Sequence, residues 1–517
     1  MVLPKTNYIH LANGKFDSTS LEDLDLAFES FHNSQPVSGW VIHFHGGLVS
    51  ESSARETAAK LLPAYQEADA FPFFFIWESG IFETVFNNLR DIAREPLFRK
   101  LAGYLVEYLL GKLGKNAAES FGAEATGVSP HLQVEQWLGQ ETEAFAAGLT
   151  APPFNTINAQ DFTHDISDAT CEANEIEALL SADPQVEGIL KDLNTELIAA
   201  RSGTEATSKE GTTYQIPGHL SSRGLKELSG IDETSETNAE GAEFFLGITL
   251  GSVALAAARI GIRVIKRYLT SRDHGLYTTV VEEILRDLYV DDIGSTLFWN
   301  QMKRDTSDAF GDDPEQHGGT AFLERLLKQV ESGHIPRITL VGHSAGAIYV
   351  SNFLLAANRV LPAEVKFDVL LLAPAVEFKL FHQAIASERI GRFRMFGMDD
   401  ERESKNALLE SMVKYLSFLY PRSLLYFVSG LLEKTVDHPL LGMERYHTGE
   451  QYTGEHFPNV NMVRRYLDSV DKSRVWSPSV NQPEGLNSDA SRHGDFDDND
   501  PETLASLQHL IREGFAN

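Results

Sequence analysis

One stretch constrains the fold of this chain more than any other: Ile338-Thr-Leu-Val-Gly342-His343-Ser344-Ala345-Gly346, followed by the helical run Ala347–Ala356. An apolar strand that turns sharply into a helix is the unit from which parallel α/β sheets are built. The residue at the apex of so tight a turn takes strained backbone angles, and side chains two positions to either side of it would collide. Gly342 and Gly346 remove those collisions. The helix N-terminus beneath Ser344 also favours the negative charge that develops when a serine oxygen attacks a carbonyl.

The same grammar appears elsewhere. Tyr8–Leu11 with Asn13-Gly14 reads as a short strand entering a turn, Leu21–Phe31 as a helix, Val37–Phe44 as a buried strand, Ser52–Glu67 as a helix and Phe71–Trp77 as another buried strand. It resumes with a helix at Phe322–Glu331 and strands at Arg337–Val341, Phe367–Leu372, Arg392–Phe396 and Arg474–Ser477. Asp500-Pro501-Glu502 opens a last helix with an N-cap acceptor, Pro at the first position and an acidic first turn. The expectation is an α/β chain whose core comes from residues 1–82 and 319–517, with 83–318 as a large, mainly helical insertion. Part of that insertion, about Gly203–Asn238, is acidic and poor in aromatics and is expected to be mobile.

Composition sets the outer limits. Over 517 residues, 44 Lys+Arg stand against 74 Asp+Glu, a net charge of −30. Phosphates must be met by Lys and Arg, so a nucleic-acid partner is excluded. The single cysteine, Cys171, allows no intrachain disulfide. Met1–His10 has no long apolar run after its lysine, so no secretory signal is expected and the default is a cytoplasmic chain.

Gly-x-Ser-x-Gly between a strand and a helix resembles the α/β-hydrolase superfamily of serine hydrolases, over about residues 37–82 and 319–517. His45-Gly46-Gly47-Leu48, at the end of an earlier strand, is similar to the His-Gly-Gly oxyanion loop of lipases and esterases. An acyl-transfer enzyme needs backbone N–H groups aimed at the tetrahedral oxyanion, and glycines let the backbone come close. The resemblance implies donors at Gly46, Gly47 or Leu48, with the N–H of Ala345 as the other half. His43-x-His45 has the look of a metal pair, but a Gly-Gly sequel suits a donor loop better, and no metal is expected.

A serine needs a base, and the base an orienting carboxylate. The superfamily order is Ser, then acid, then His, and His493 in Ser491-Arg-His493-Gly494-Asp495 stands where that order puts the base, after the last strand. His438, His447 and His456 compete with it, whereas His382 comes early and His509 sits within the last helix. Gly397-Met-Asp399-Asp400 resembles the acid loop and favours Asp400, with Asp399 as the alternate. The acidic run Asp495–Asp500 has enough oxygens for calcium but is explained more simply as a lead-in to a helix.

These readings describe a hydrolase of carboxylic esters, with a small hydrophobic substrate, that works through an acyl-enzyme and needs no cofactor. An amidase or peptidase uses the same residues, and a catalytically silent binding module is the alternative from another class. The insertion is expected to form a cap or lid over the strand ends, with Trp77-Glu78-Ser79-Gly80 near the mouth. Within it, Phe244–Ala258 is apolar and is followed by Arg259, Arg263, Lys266 and Arg267 at three- to four-residue spacing. Three readings of 244–269 stay open: a buried helix, an interfacial helix that associates the chain with a membrane surface, or a span.

Overall fold

The computed structural model describes residues 3–47, 49–78, 82–113, 128–139, 169–201, 219–229, 247–289, 295–405 and 416–515. Asn13 and Gly14 both take positive φ, 49° and 73°, and close a two-residue hairpin between β1 (Tyr8–Ala12) and β2 (Lys15–Phe16). The apolar runs that follow become β3 (Trp40–Phe44), β4 (Phe71–Trp77), β5 (Ile338–His343), β6 (Phe367–Leu372), β7 (Ile390–Met398) and β8 (Arg474–Ser477). Together they form one eight-stranded sheet in the order β2-β1-β4-β3-β5-β6-β7-β8, and every pairing except β1–β2 is parallel. The chain is thus of the α/β class.

Burial on both faces explains why the central strands β3 and β4 read as apolar runs without alternation. Val41, Phe74, Val341, Leu370 and Phe396 point to one face, under the helices Glu51–Glu67 and Pro501–Arg512. Ile42, Phe44, Phe75, Leu340 and Leu371 point to the other, under the helices Leu21–Ser34, Gly318–Glu331 and Gly346–Val360. On that second face Trp40 gathers Phe28, Phe31, Phe71, Phe73 and Phe322 within ring-contact distance. The last helix starts as its sequence dictates, with the Asp500 side chain accepting from the N–H of Thr503.

Strand order determines where a site can form. From β3 the chain moves to β4 on one side and then, after the insertion, to β5 on the other. The carboxyl ends of β3 and β5 therefore flank a topological switch point, the crevice where open α/β sheets bind ligands.

The insertion is helical and shares its core with the second sheet face: Leu105, Leu109, Val253, Ile260, Val264 and Tyr277 belong to the same buried cluster as Phe44 and Phe75. Helix Leu250–Leu269 begins with a capping box between Thr249 and Ser252. Its arginines are committed inside the protein, Arg259 to Glu227, Arg263 to Glu283 and Asp287, and Arg267 to Glu282 and Glu283. Of the basic stripe expected to face a membrane, Lys266 alone is exposed. Pairing of this kind fits the buried-helix reading of 244–269, of which 244–246 lie outside the described residues. No described helix is long and apolar enough to cross a membrane. Of the stretch expected to be mobile, only 219–229 is described, and it holds the helix Ser222–Ser229.

Candidate active site

At the end of β5 the chain turns through Ser344, which sits at φ 54°, in the left-handed region. A non-glycine residue held there costs about 1–3 kcal/mol, so the surrounding packing must enforce it. Two glycines permit the turn. A Cβ on Gly342 would come within 2.9 Å of the backbone of Gly346, and one on Gly346 would overlap the carbonyl oxygen of Phe44 at the end of β3. The helix Gly346–Val360 can therefore start directly against the neighbouring strand. The N–H of Ser344 donates to Leu372, and its carbonyl accepts from Ala375, so the turn is also tied to the end of β6.

The loop after β3 packs on this turn. A Cβ at Gly46 would stand 3.2 Å from both Ser344 Cβ and His343 Nδ1, and one at Gly47 would stand 3.3 Å from Ala345 Cβ. Among the described residues, the N–H groups of Gly46, Gly47 and Ala345 donate to no protein acceptor. Leu48 lies outside the described residues. His45 sets the course of this loop. Its Nε2 accepts from the N–H of Trp77, so its Nδ1 carries the proton and donates to the carbonyl of Gly46 at 2.6 Å. The two rings stack at 5.5 Å, and Trp77 Nε1 donates to the carbonyl of His45. Burial pushes the imidazole down to about 4, which keeps it neutral. With both nitrogens engaged, His45 has no lone pair left for a metal; neighbouring His43 shares its Nδ1 with Tyr65, and its buried Nε2 has no partner among the described residues. Over Gly47 lies Met302, on the insertion helix Ser295–Asp308.

His493 is brought to this place. Its ring lies 5.2 Å from that of His343, the residue before Ser344. Both ring nitrogens are buried and, among the described residues, meet no hydrogen-bond partner, neither Ser344 Oγ nor a carboxylate. Burial and the nearby His343 push this imidazole down to about 3, against the pull of Asp497.

The acids expected from the sequence are occupied elsewhere. Asp400 accepts from the hydroxyl of Tyr426 at 2.7 Å, and Asp399 caps a short helix by accepting from the N–H of Arg402. The carboxylate beside the imidazoles is instead Asp497, whose Oδ2 lies 3.0 Å from His343 Nδ1. Burial would raise Asp497, but the His343 charge and hydrogen bond outweigh it and hold the carboxyl at about 2. The acidic run Asp495–Asp500 is not a single lead-in, because the carboxylates of Asp495, Asp497 and Asp500 diverge. Asp495 closes the turn by accepting from Ser491 and Arg492, Asp497 faces His343, and Asp500 caps the last helix. Oxygens spread in this way do not converge on a calcium ion.

The competing histidines hold other posts. His382 meets Asn459, His438 meets Thr435 and Glu377, and His447 faces the carbonyl of Leu441. Glu377, Glu433 and His438 lie close enough together to ligate a cation, but the ammonium of Lys303 already sits 2.9 Å from Glu433 and supplies the positive charge. No family model, no curated protein and no solved structure matches the chain.

Proposed function

We propose that this chain is a serine hydrolase of the α/β-hydrolase kind, cleaving carboxylic esters through an acyl-enzyme. The observation that carries the reading is the strained Ser344 at a sheet switch point, packed against a glycine loop whose amides at Gly46 and Gly47 are unclaimed among the described residues. Ser344 attacks the ester carbonyl, and the N–H groups of Gly46, Gly47 and Ala345 receive the oxyanion. His493 takes the serine proton, returns it to the leaving alcohol, and then activates the water that releases the acid. Its neutral state suits a base, and hydrogen bonds of this type often form only once substrate is bound. The charge of Asp497 pulls toward the transient imidazolium, against burial and the neighbouring His343. Met302 over Gly47 supports an apolar acyl group, with the insertion as the cap.

A silent binding module is the second reading, and the unpartnered imidazole of His493 is what favours it. One experiment separates the two. Wild type should react with a fluorophosphonate probe and turn over short- to medium-chain esters, and Ser344→Ala should lose both by on the order of 10⁴-fold or more. Labelling that survives in Ser344→Ala overturns the nucleophile. A wild type that neither labels nor hydrolyses leaves the binding module.

A further inference from the structure

His343 ends β5 and directly precedes Ser344, yet its side chain reaches into the loop that carries His493. Its Nδ1 lies 3.0 Å from Asp497 Oδ2, and its Nε2 lies 3.0 Å from the backbone carbonyl of His493. A carbonyl only accepts, so Nε2 carries a proton, and the carboxylate opposite Nδ1 draws the second. The ring is thus a buried donor at both ends, with its charge answered by Asp497. The other titratable groups facing it are His493, at 5.2 Å between rings, and His43 and His45 on the strand alongside.

The rest of the loop is held from other directions. The carbonyl of Ala490 accepts from Ser477 and Arg402, Asp500 accepts from the N–H of Asp489, and Asp495 accepts from Ser491 and Arg492. These contacts fix the loop's flanks. Among the described residues, the hydrogen bond from His343 is the one that runs from the nucleophile's strand to the main chain of His493 itself.

We infer that His343 and Asp497 form a positioning pair that fixes the pivot of His493 one residue away from Ser344. This rests on the serine-hydrolase reading. Asp497 orients the ring and balances its charge, and the ring holds the His493 carbonyl. The imidazole then swings from a fixed point toward the serine oxygen. Neither residue touches substrate. Their effect is on the reach of the base, where a displacement of about 1 Å costs on the order of 10²-fold in rate.

Two amide variants separate the two contacts. His343→Asn places an amide near the position of Nδ1, keeping Asp497 and giving up the His493 carbonyl. His343→Gln reaches toward the position of Nε2 and does the reverse. The readouts are the fluorophosphonate labelling rate, kcat and KM on a p-nitrophenyl ester, and amide hydrogen exchange over residues 488–499. His343→Asn should lose roughly 10- to 100-fold in labelling rate and in kcat, with KM within about threefold and protection lost at 491–496. His343→Gln should stay within about fivefold of wild type and keep that protection. Equal losses in the two variants, or wild-type labelling and protection in His343→Asn, overturn the positioning role. Absence of labelling in wild type itself overturns the hydrolase reading and catalytic positioning with it, while the exchange arm still shows whether the pair holds the loop.

Discussion

Two buried regions of this molecule are rich in titratable groups and treat them differently. Where the insertion meets the segment after residue 420, Asp437 is fully buried and accepts from Arg272, Tyr446 and Tyr452, with His274 Nε2 at 3.2 Å. His274 in turn presents Nδ1 to Glu282, which also takes Arg267 and the hydroxyl of Tyr420. Around the turn after β5, by contrast, Ser344 is strained, and among the described residues three amides lack acceptors and His493 has neither nitrogen partnered. The seam spends its polar groups on one another and binds the insertion to the core. The turn leaves them uncommitted, which is what a reacting group requires.

Acid should separate the two regions most strongly. Burial pushes His43 and His493 down to about 3 and His45 to about 4, so these three imidazoles stay neutral in the folded site where an unfolded chain takes up protons near 6.5. Between those values the unfolded state binds more protons, and stability falls as pH falls. At the seam, burial raises Glu282, but His274 and Arg267 outweigh it and hold the carboxyl at about 2, while Asp437 also lies well below its usual range. A depressed carboxyl keeps its full contribution above its unfolded value of about 4.5 and loses it as pH falls through 2. Hydrogen exchange at pH 4.5 against pH 7 should therefore show protection lost around 43–47 and 491–497 before 274–283. The reverse order would break the comparison.

Asp437→Ala comes next in size. It takes the carboxylate from Arg272 and Arg445 and leaves His274 Nε2 without that partner, and removing one partner of a buried ionic network costs about 3–5 kcal/mol. The denaturation midpoint should drop accordingly, while ester turnover per folded molecule changes little. A drop under about 1 kcal/mol would mean that the seam carries less of the insertion's docking than its geometry implies.

How far each region was legible follows from the same contrast. The sheet could be read because parallel strands are buried on both faces, so Phe71–Trp77 appears as an unbroken apolar run, and Phe367–Leu372 as one interrupted by Asp368 alone, each with the observed bounds. The Ser344 turn could be read because only glycine fits at 342 and 346. The acid could not. Within Asp495–Asp500 the carboxylates at 495, 497 and 500 point three ways, and a shift of one residue in a turn redirects a side chain completely. The seam was equally silent, since Arg272 and Asp437 stand 165 positions apart and nothing local marks them as partners.

Gly46→Ala sharpens the comparison from the side of the site. Its Cβ would come within 3.2 Å of Ser344 Cβ and His343 Nδ1, close enough to push the loop off the turn but not to overlap backbone. Misplacing one oxyanion donor should cost on the order of 10²-fold in kcat/KM with little change in denaturation midpoint. Gly346→Ala offers the opposite pattern, since its Cβ would overlap the Phe44 carbonyl and the fold itself must give way. Equal stability losses in the two variants would mean that the Gly46 loop is structural.

The smallest expected effect on stability is the most telling. His493→Leu replaces a ring whose two buried nitrogens have no partner among the described residues with an apolar side chain, and leaves the backbone carbonyl that His343 holds. An unsatisfied buried polar group costs about 1–3 kcal/mol, so its removal should leave stability unchanged or raise it by about 1 kcal/mol. Ester turnover and probe labelling should fall by roughly 10³-fold or more over the same substitution. Gain in stability with loss of activity is the mark of a group kept at a cost for its chemistry. A loss of about 2 kcal/mol with turnover intact would instead make His493 a packing residue, and the base would have to be sought elsewhere.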